Sequence, residues 1–236
     1  MKKERLAKVL AKANIASRRN SEKLIFDGKV SVNGEIVLLP QTLVDSDQDQ
    51  IKVKGQLITV ETQKYYFLFH KPQNVFCSNQ RKKREKLVID YFKKVSARLF
   101  TAGRLDKDVT GLIIVTNDGH FANFVIHPRY NVEKEYLAKV QQTITAEHLK
   151  QIQKGVVIEG KLVKPILVKK IAANNCKITV TDGKKHEVKL FLKKAKLDLR
   201  SLSRIRIGPL TLGRLPIGLY RQLKQEEVDF FTKAKN

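Results

Sequence analysis

Acidic residues are scarce in this chain. Its 236 residues include 23 Asp and Glu against 47 Lys and Arg, a formal net charge of +24 and a pI near 10.0. That imbalance is too large for an ordinary small-molecule enzyme and points to a polyanion as partner. Long apolar runs are missing as well. There is no stretch of about 20 apolar residues and no basic amphipathic helix with an aromatic face, which argues against a membrane surface as that polyanion. The opening Met1-Lys-Lys-Glu-Arg-Leu6 lacks the apolar core of a signal peptide, so the expected location is the cytosol. Cysteine is nearly absent: Cys77 and Cys176 stand alone, with no Cys-x-x-Cys spacing, which argues against a disulfide framework or a zinc knuckle and leaves two ordinary buried thiols. His70, His120, His127, His148 and His186 show no metal-ligand spacing. Neither a metal nor a cofactor is expected.

The first sixty residues alternate between helical and strand patterns. Leu6, Val9, Leu10 and Ala13 recur at helical spacing, and a second helix is expected from Ser17 as N-cap to Asp27, stopped by Gly28. Val30-Ser-Val32 and Ile36-Val-Leu38 flank Asn33-Gly34, a strong hairpin signal, and Ile51-Lys-Val53 adds an alternating strand. Lys8, Lys12, Arg18, Arg19 and Lys23 lie on or between the helices, where they suit either a solvated face or phosphate contacts. Asp45, Asp47 and Asp49 mimic the start of a calcium loop. Gln50 and Gln56 occupy the positions where that loop needs Gly and Glu, so a polar turn is the better reading.

The centre of the chain carries the clearest candidate site. Thr101-Ala-Gly-Arg-Leu-Asp106 leads into a polar loop and then the β-branched run Leu112 to Val115, bounded by Gly111 and Asn117-Asp118-Gly119. The run reads as a buried strand. Asp106 therefore sits at the mouth of a buried strand, between Gly103 and Gly111, which would let a ligand backbone come close. A carboxylate there suits a nucleophile or a base, or simply bonds its own turn.

Gly103-Arg104-Leu105-Asp106, Thr110-Gly111-Leu112 and Thr116-Asn117-Asp118-Gly119 resemble the GRLDxxTxGLLLLTNDG signature of pseudouridine synthases of the RsuA/RluB type. Val109 stands where that family commonly has Thr or Ser. The resemblance implies that Asp106 attacks the ribosyl-uracil system without a cofactor, and that Arg104 approaches the RNA. Arg5-Leu6, Ala16-Ser17-Arg18-Arg19, Ile25, Gly28, Val30 and Val32-Asn33-Gly34 similarly resemble the S-four-type RNA-binding domain named from a ribosomal protein. The implied organisation is a small α/β RNA-binding domain over residues 1–60, a short linker at 60–64, and a larger domain over 65–236. The fold class is α+β, the larger domain being a mixed, mainly antiparallel sheet with flanking helices.

Within that larger domain, Tyr65-Tyr-Phe-Leu-Phe69 reads as a strand, and Lys71-Pro72 resembles the family's Asn-Lys-Pro-x-Gly-Val segment, with His70 and Asn74 in place of Asn and Gly. Arg81-Lys-Lys-Arg84 suits either a solvated loop or a phosphate clamp. A helix is expected from His120 to His127, closed by Pro128, and another from Thr145 to Lys154. Lys134-Glu-Tyr136-Leu-Ala-Lys-Val140 alternates like a strand. Alone, Tyr136 would be a half-buried strand tyrosine. The Lys-x-Tyr pattern resembles the family's second motif, which places Tyr136 against the target base. Asp182-Gly183-Lys184-Lys185-His186-Glu187-Val188-Lys189-Leu190-Phe191 resembles the segment EGxxHQVKRMF, with Glu187 for Gln and Leu190 for a basic residue. On residue type alone Lys189 is a surface lysine; the resemblance makes it the basic partner of Asp106. The run from Arg204 to Leu223 follows the closing pattern RIGPLxLGxLPxGxYRxL, and packing alone accounts for its apolar positions.

These patterns predict a pseudouridine synthase acting on ribosomal RNA or a pre-ribosomal particle as a monomer, away from membranes. Asp106, Tyr136 and Lys189 are the catalytic candidates. Arg104, Arg5, Arg18, Arg19, Lys23, Lys71 and His186 are the expected RNA contacts. A non-catalytic RNA-binding factor for ribosome assembly is the alternative, in which the Asp106 loop is only a turn.

Overall fold

The computed structural model describes residues 3–60, 63–82 and 84–233. The chain divides into two compact units, residues 1–64 with 96–98, and residues 65–95 with 99–236. The expected linker at 60–64 includes residues 61 and 62, which lie outside the described residues.

In the smaller unit, β1 (Glu4–Arg5) leads directly into α1 (Leu6–Lys12), and α2 (Arg18–Phe26) follows. The α1 spacing works as expected: Leu6, Ala7, Val9 and Leu10 are buried and pack with Ile25 of α2. Ser17 caps α2, its hydroxyl accepting from the Asn20 amide at 3.2 Å. Next come β2 (Val30–Val32), β3 (Glu35–Ile36), β4 (Leu43–Val44), β5 (Ile51–Val53) and β6 (Gln56–Leu57). They form a four-stranded sheet in the order β3-β2-β5-β6, with β4 pairing β1 separately. Asn33 and Gly34 both have positive φ, 52° and 94°, as the tight turn between right-twisted strands requires. Asp49 acts as a polar staple, accepting from the Asp45 amide at 2.7 Å and the Asn33 side chain at 2.9 Å.

The larger unit contains β7 (Tyr66–Lys71), β8 (Phe100–Ala102), β9 (Thr110–Thr116), α3 (Gly119–Ile126), β10 (Lys134–Val140), α4 (Ala146–Gln153), β11 (Val156–Ile158) and β12 (Lys161–Val163). β13 (Leu167–Ala172), β14 (Asn175–Val180), α5 (Glu187–Lys194), β15 (Leu199–Ile207), β16 (Leu210–Thr211), β17 (Tyr220–Gln222) and α6 (Gln225–Thr232) complete it. A nine-stranded sheet runs β13-β14-β10-β15-β9-β7-β17, with β16 added beside β15 and β8 beside β9. Its one parallel pairing is β9 with β15; the rest are antiparallel. This is the mixed, mainly antiparallel sheet with flanking helices that the sequence predicts.

Strand β9 is buried on both faces. Ile113 and Val115 enter one core cluster with Val188, Phe191 and Leu192 of α5, while Leu112 and Ile114 enter a second with residues of α3 and α6. Burying such side chains contributes about 1.5–3 kcal/mol each, so the strand that leaves the Asp106 loop is among the best-anchored parts of the unit. Asp118 caps α3, accepting from the His120 amide at 2.9 Å. Ile207, Leu210 and Leu223 of the closing pattern are buried in the second cluster, as packing alone predicts. Both cysteines are buried free thiols. Of the basic run at 81–84, Lys83 lies outside the described residues. Arg81 is engaged within the protein, forming an ion pair with Asp90 and donating to the Glu85 carbonyl at 2.7 Å.

Candidate active site

Asp106 lies in the connection between β8 and β9, on a turn closed by the Val109 amide bonding to the Asp106 carbonyl at 3.1 Å. Two buried side chains hold that turn down: Leu105, whose amide lies 3.4 Å from the Cys77 sulfur, and Val109. Val109 is therefore a packing residue, which explains an apolar side chain at that place in the signature.

Opposite the turn stands the start of α5. Val188, Phe191 and Leu192 seat this helix in the core, and Lys189 projects from the same first turn. Its ammonium is 2.8 Å from one Asp106 oxygen and 2.9 Å from Asp108. Partial burial works to lower the Lys189 pKa, but hydrogen bonds to Asp106 and Asp108 outweigh it and leave the pKa raised. The Asp108 carboxyl is held below its ordinary value: partial burial opposes this, and the Lys189 bond overcomes it. His186 reaches Asp106 from the other side, its Nε2 3.3 Å from Oδ1, with its backbone left-handed at φ 58°.

Asp106, Lys189 and His186 line a cleft of about 560 Å³ that also contains Arg104, Lys134, Tyr136, Glu187 and Arg204. Tyr136 and Arg204 are cross-strand partners on β10 and β15, and the Arg204 guanidinium lies 6.0 Å from the Tyr136 ring centre. Arg204 Nε donates to the Leu112 carbonyl at 2.8 Å, and Nη1 is 3.5 Å from the Tyr136 hydroxyl. The Lys134 ammonium is mostly buried and donates to the Thr181 carbonyl at 2.7 Å. Burial, with Asp182 nearby, pushes the Glu187 carboxyl up to about 7, against amide hydrogen bonds from Lys184 and Gly183 and the charge of Lys134.

Of the residues predicted from sequence, Asp106, Tyr136, Lys189, Arg104 and His186 thus meet in one cleft. Arg5, Arg18, Arg19 and Lys23 are exposed on the smaller unit. Lys8 and Lys12 both pair with Glu4, Lys8 at 2.6 Å.

Lys71 requires a correction: it is fully buried, so it does not present its charge to RNA. Its ammonium donates to the carbonyls of Val75 at 2.8 Å, Pro72 at 2.9 Å and, more distantly, Lys107 at 3.4 Å. Burial lowers its pKa to about 8, opposed by Cys77, Asp108 and Asp106. Lys71 is a strut beneath the Asp106 loop. The Asn74 amide also bonds the Lys107 carbonyl, at 2.6 Å, and Asn74 tolerates φ 63° where the family has Gly.

Gly111 also differs from expectation. A Cβ there would come within 2.6 Å of the Arg204 backbone nitrogen, so this glycine makes room for β15 rather than for a ligand. Lys134, Glu187 and Arg204 are cleft residues that sequence reasoning did not assign to the site, and Asp108 shares Lys189 with Asp106 from outside the lining. The available signal for Arg204 was an Arg two residues after the inward Leu202 on an alternating strand.

The profile of the RNA pseudouridylate synthase family matches residues 65–194, and that of the S4 domain matches residues 4–51. The chain belongs to the RNA pseudouridylate synthase family. This synthase is 36% identical over 231 residues to ribosomal large subunit pseudouridine synthase B of Bacillus subtilis, covering 95% of the present chain and 94% of the relative. A chloroplast relative from Arabidopsis thaliana is 41% identical over 244 residues, and the synthase spans 60% of that protein's length. The crystal structure of a pseudouridylate synthase superposes with a TM-score of 0.70 at 29% identity, covering 97% of this chain and 99% of the other. Among the described residues no helix is long and apolar enough to cross a membrane, and no group of three or more His, Cys, Asp or Glu is arranged to hold a metal.

Proposed function

We propose that this synthase converts a uridine of ribosomal RNA to pseudouridine with Asp106 as the group that acts on the ribosyl-uracil system. The observation that carries the reading is the 2.8 Å pair between Lys189 and Asp106, in a cleft that also presents Tyr136. A cation against a carboxylate favours its charged form even as RNA shuts out water, and only that form attacks or takes a proton.

Residues 65–236 carry the chemistry and residues 1–60 hold RNA, acting as a monomer in the cytoplasm on ribosomal RNA or a pre-ribosomal particle. The names of the bacterial relatives and the S4 match support this division. A uridine in a stacked helix must leave its stack before its glycosidic bond is reached, so RNA binding has to offset a few kcal/mol of unstacking. Exposed Arg104 suits the vacated stack, and the ring of Tyr136 suits the extruded base.

Asp106→Asn tests the reading, because it removes the charge and hardly changes the volume. Tritium release from uracil carbon five of ribosomal RNA transcripts should fall by at least about 10⁴-fold, while RNA affinity in a filter-binding titration stays near wild type. Retained turnover would end the catalytic assignment of Asp106.

A further inference from the structure

Arg204 is an anomaly of this cleft. It is 4% exposed, it lines the cleft beside Tyr136, and its Nη2 has no hydrogen-bond partner among the described residues. Among the described residues no carboxylate forms an ion pair with it; Asp106 and Asp108 are engaged by Lys189, and Asp106 also by His186. Its two protein contacts, the Leu112 carbonyl and the Tyr136 hydroxyl, are uncharged acceptors. An unmet guanidinium N–H away from water is expensive to keep, and a folded protein tolerates one where something else completes it.

The backbone is also arranged to deliver this side chain. β15 runs parallel to β9 with Arg204 beside Gly111, and a side chain at Gly111 would collide with the Arg204 backbone. On its other edge β15 sets Arg204 opposite Tyr136. The guanidinium is therefore fixed by two strands rather than by a mobile loop, as a preorganised charge should be.

We propose that Arg204 is a further catalytic residue, donating to a carbonyl oxygen of the target uracil and stabilising the negative charge that the base carries during isomerisation. The inference rests on the pseudouridine synthase reading of the same cleft, but not on which route Asp106 takes. If Asp106 attacks the ribose carbon, an oxygen–carbon bond forms while the bond from C1′ to N1 breaks, and its electron pair passes to N1 and spreads over the two carbonyl oxygens. If Asp106 instead removes a ribose proton, the same bond breaks with the same electron flow, and the new double bond stays in the sugar. If it attacks the uracil ring, the displaced electron pair goes to the ring's carbonyl oxygen. Every route puts negative charge on uracil oxygen; by its end the bond from C1′ to N1 has been exchanged for one from C1′ to C5, any bond to Asp106 has broken or the ribose proton has returned, C5 has lost its proton and N1 has gained one. No oxidant, reductant or cofactor enters the balance.

The experiment compares Arg204→Gln, Arg204→Met and Arg204→Lys with wild type in single-turnover tritium release on ribosomal RNA transcripts, alongside filter binding and thermal melting. Gln and Met should lower the rate by about 10²–10³-fold, the range seen when one preorganised donor to a developing oxyanion is lost, with RNA affinity nearly unchanged. Lys keeps the charge with altered geometry and should fall between them and wild type. A folded Arg204→Gln protein with the wild-type rate overturns the proposal, as does a loss confined to RNA affinity. If neither neutral variant folds, the wild-type protein decides through inhibition by uracil and by 5-nitrouracil, a uracil far more readily ionised. The anion should inhibit about tenfold better, a difference of about 1.4 kcal/mol, with its advantage growing as pH rises; equal inhibition by the two overturns the proposal. A wild-type protein inactive on all ribosomal RNA would instead remove the functional reading itself, which separates the two failures.

Discussion

The cations of the smaller unit and those in and beneath the cleft share a sign but differ in their surroundings. Arg5, Arg18, Arg19 and Lys23 are exposed, whereas Lys71, Lys134 and Arg204 are buried and each is fixed to named carbonyls. An exposed cation acts at a distance, is screened by salt, and can be exchanged for its neighbour with little loss. A buried one is held in a single place, and its removal leaves orphaned acceptors or an unbalanced carboxylate. The net charge of +24 therefore mixes two kinds of charge, one exposed and suited to a polyanion, the other buried and tied to particular carbonyls. Substitutions in the two groups should fail in different ways.

Of the three substitutions that probe this contrast, the largest effect is expected at Lys189. Lys189→Met keeps the apolar stem and removes the cation shared by Asp106 and Asp108, so turnover should fall by about 10²–10³-fold. The Asp108 carboxyl, now held down by Lys189, should rise toward the ordinary carboxylate range. Lys189→Arg should lose less than Met when both are assayed between about pH 6 and 9. Wild-type turnover for the Met variant across that range would show that the pair does not serve the chemistry.

A middle-sized effect concerns stability rather than turnover. Glu187 is 3% exposed and one of its carboxyl oxygens has no partner among the described residues, with Lys134 and Asp182 as its charged neighbours. The folded protein keeps the Glu187 proton up to about pH 7, while the unfolded chain releases it near 4.5. Between those values the folded state binds more protons, so this residue makes stability fall as pH rises through the window. Glu187→Gln removes that loss. The variant should match wild type near pH 4 and exceed it above pH 7 by on the order of 2 kcal/mol, read from denaturant melts at both pH values. A difference independent of pH would mean that Glu187 is ionised in the native cleft.

How much of this was legible in the sequence depended on whether the signal was local. The two helices and the Asn33-Gly34 hairpin of the smaller unit, and the strands around Asp106 and Tyr136, follow from periodicity, caps and turn residues a few positions apart. The Asp106 loop was visible because its signature is continuous. Arg204 was not, since its meaning depends on β15 lying between β9 and β10, a pairing of segments far apart in the chain. The same pairing explains Gly111, whose missing side chain faces a strand backbone that local reading cannot supply. Lys71 was misplaced because residue type alone puts a lysine in water. Only the fold shows three carbonyls gathered to replace that water.

The smallest expected effect tests the exposed group. Arg18 and Arg19 open α2, where Ser17 rather than either arginine provides the cap, so replacing both with Ala should leave the fold nearly untouched. If each rests on a phosphate, the plot of log affinity against log salt should become shallower by roughly 0.9 per lost contact on duplex RNA, or 0.7 on a single strand. Turnover at saturating RNA should stay close to wild type, because neither side chain belongs to the cleft. This combination, a changed slope with unchanged saturated turnover, is the reverse of that expected at Lys189. An unchanged slope would mean that these two arginines form only a solvated face, leaving Arg5, Lys23 and the cleft's own rim to hold the RNA.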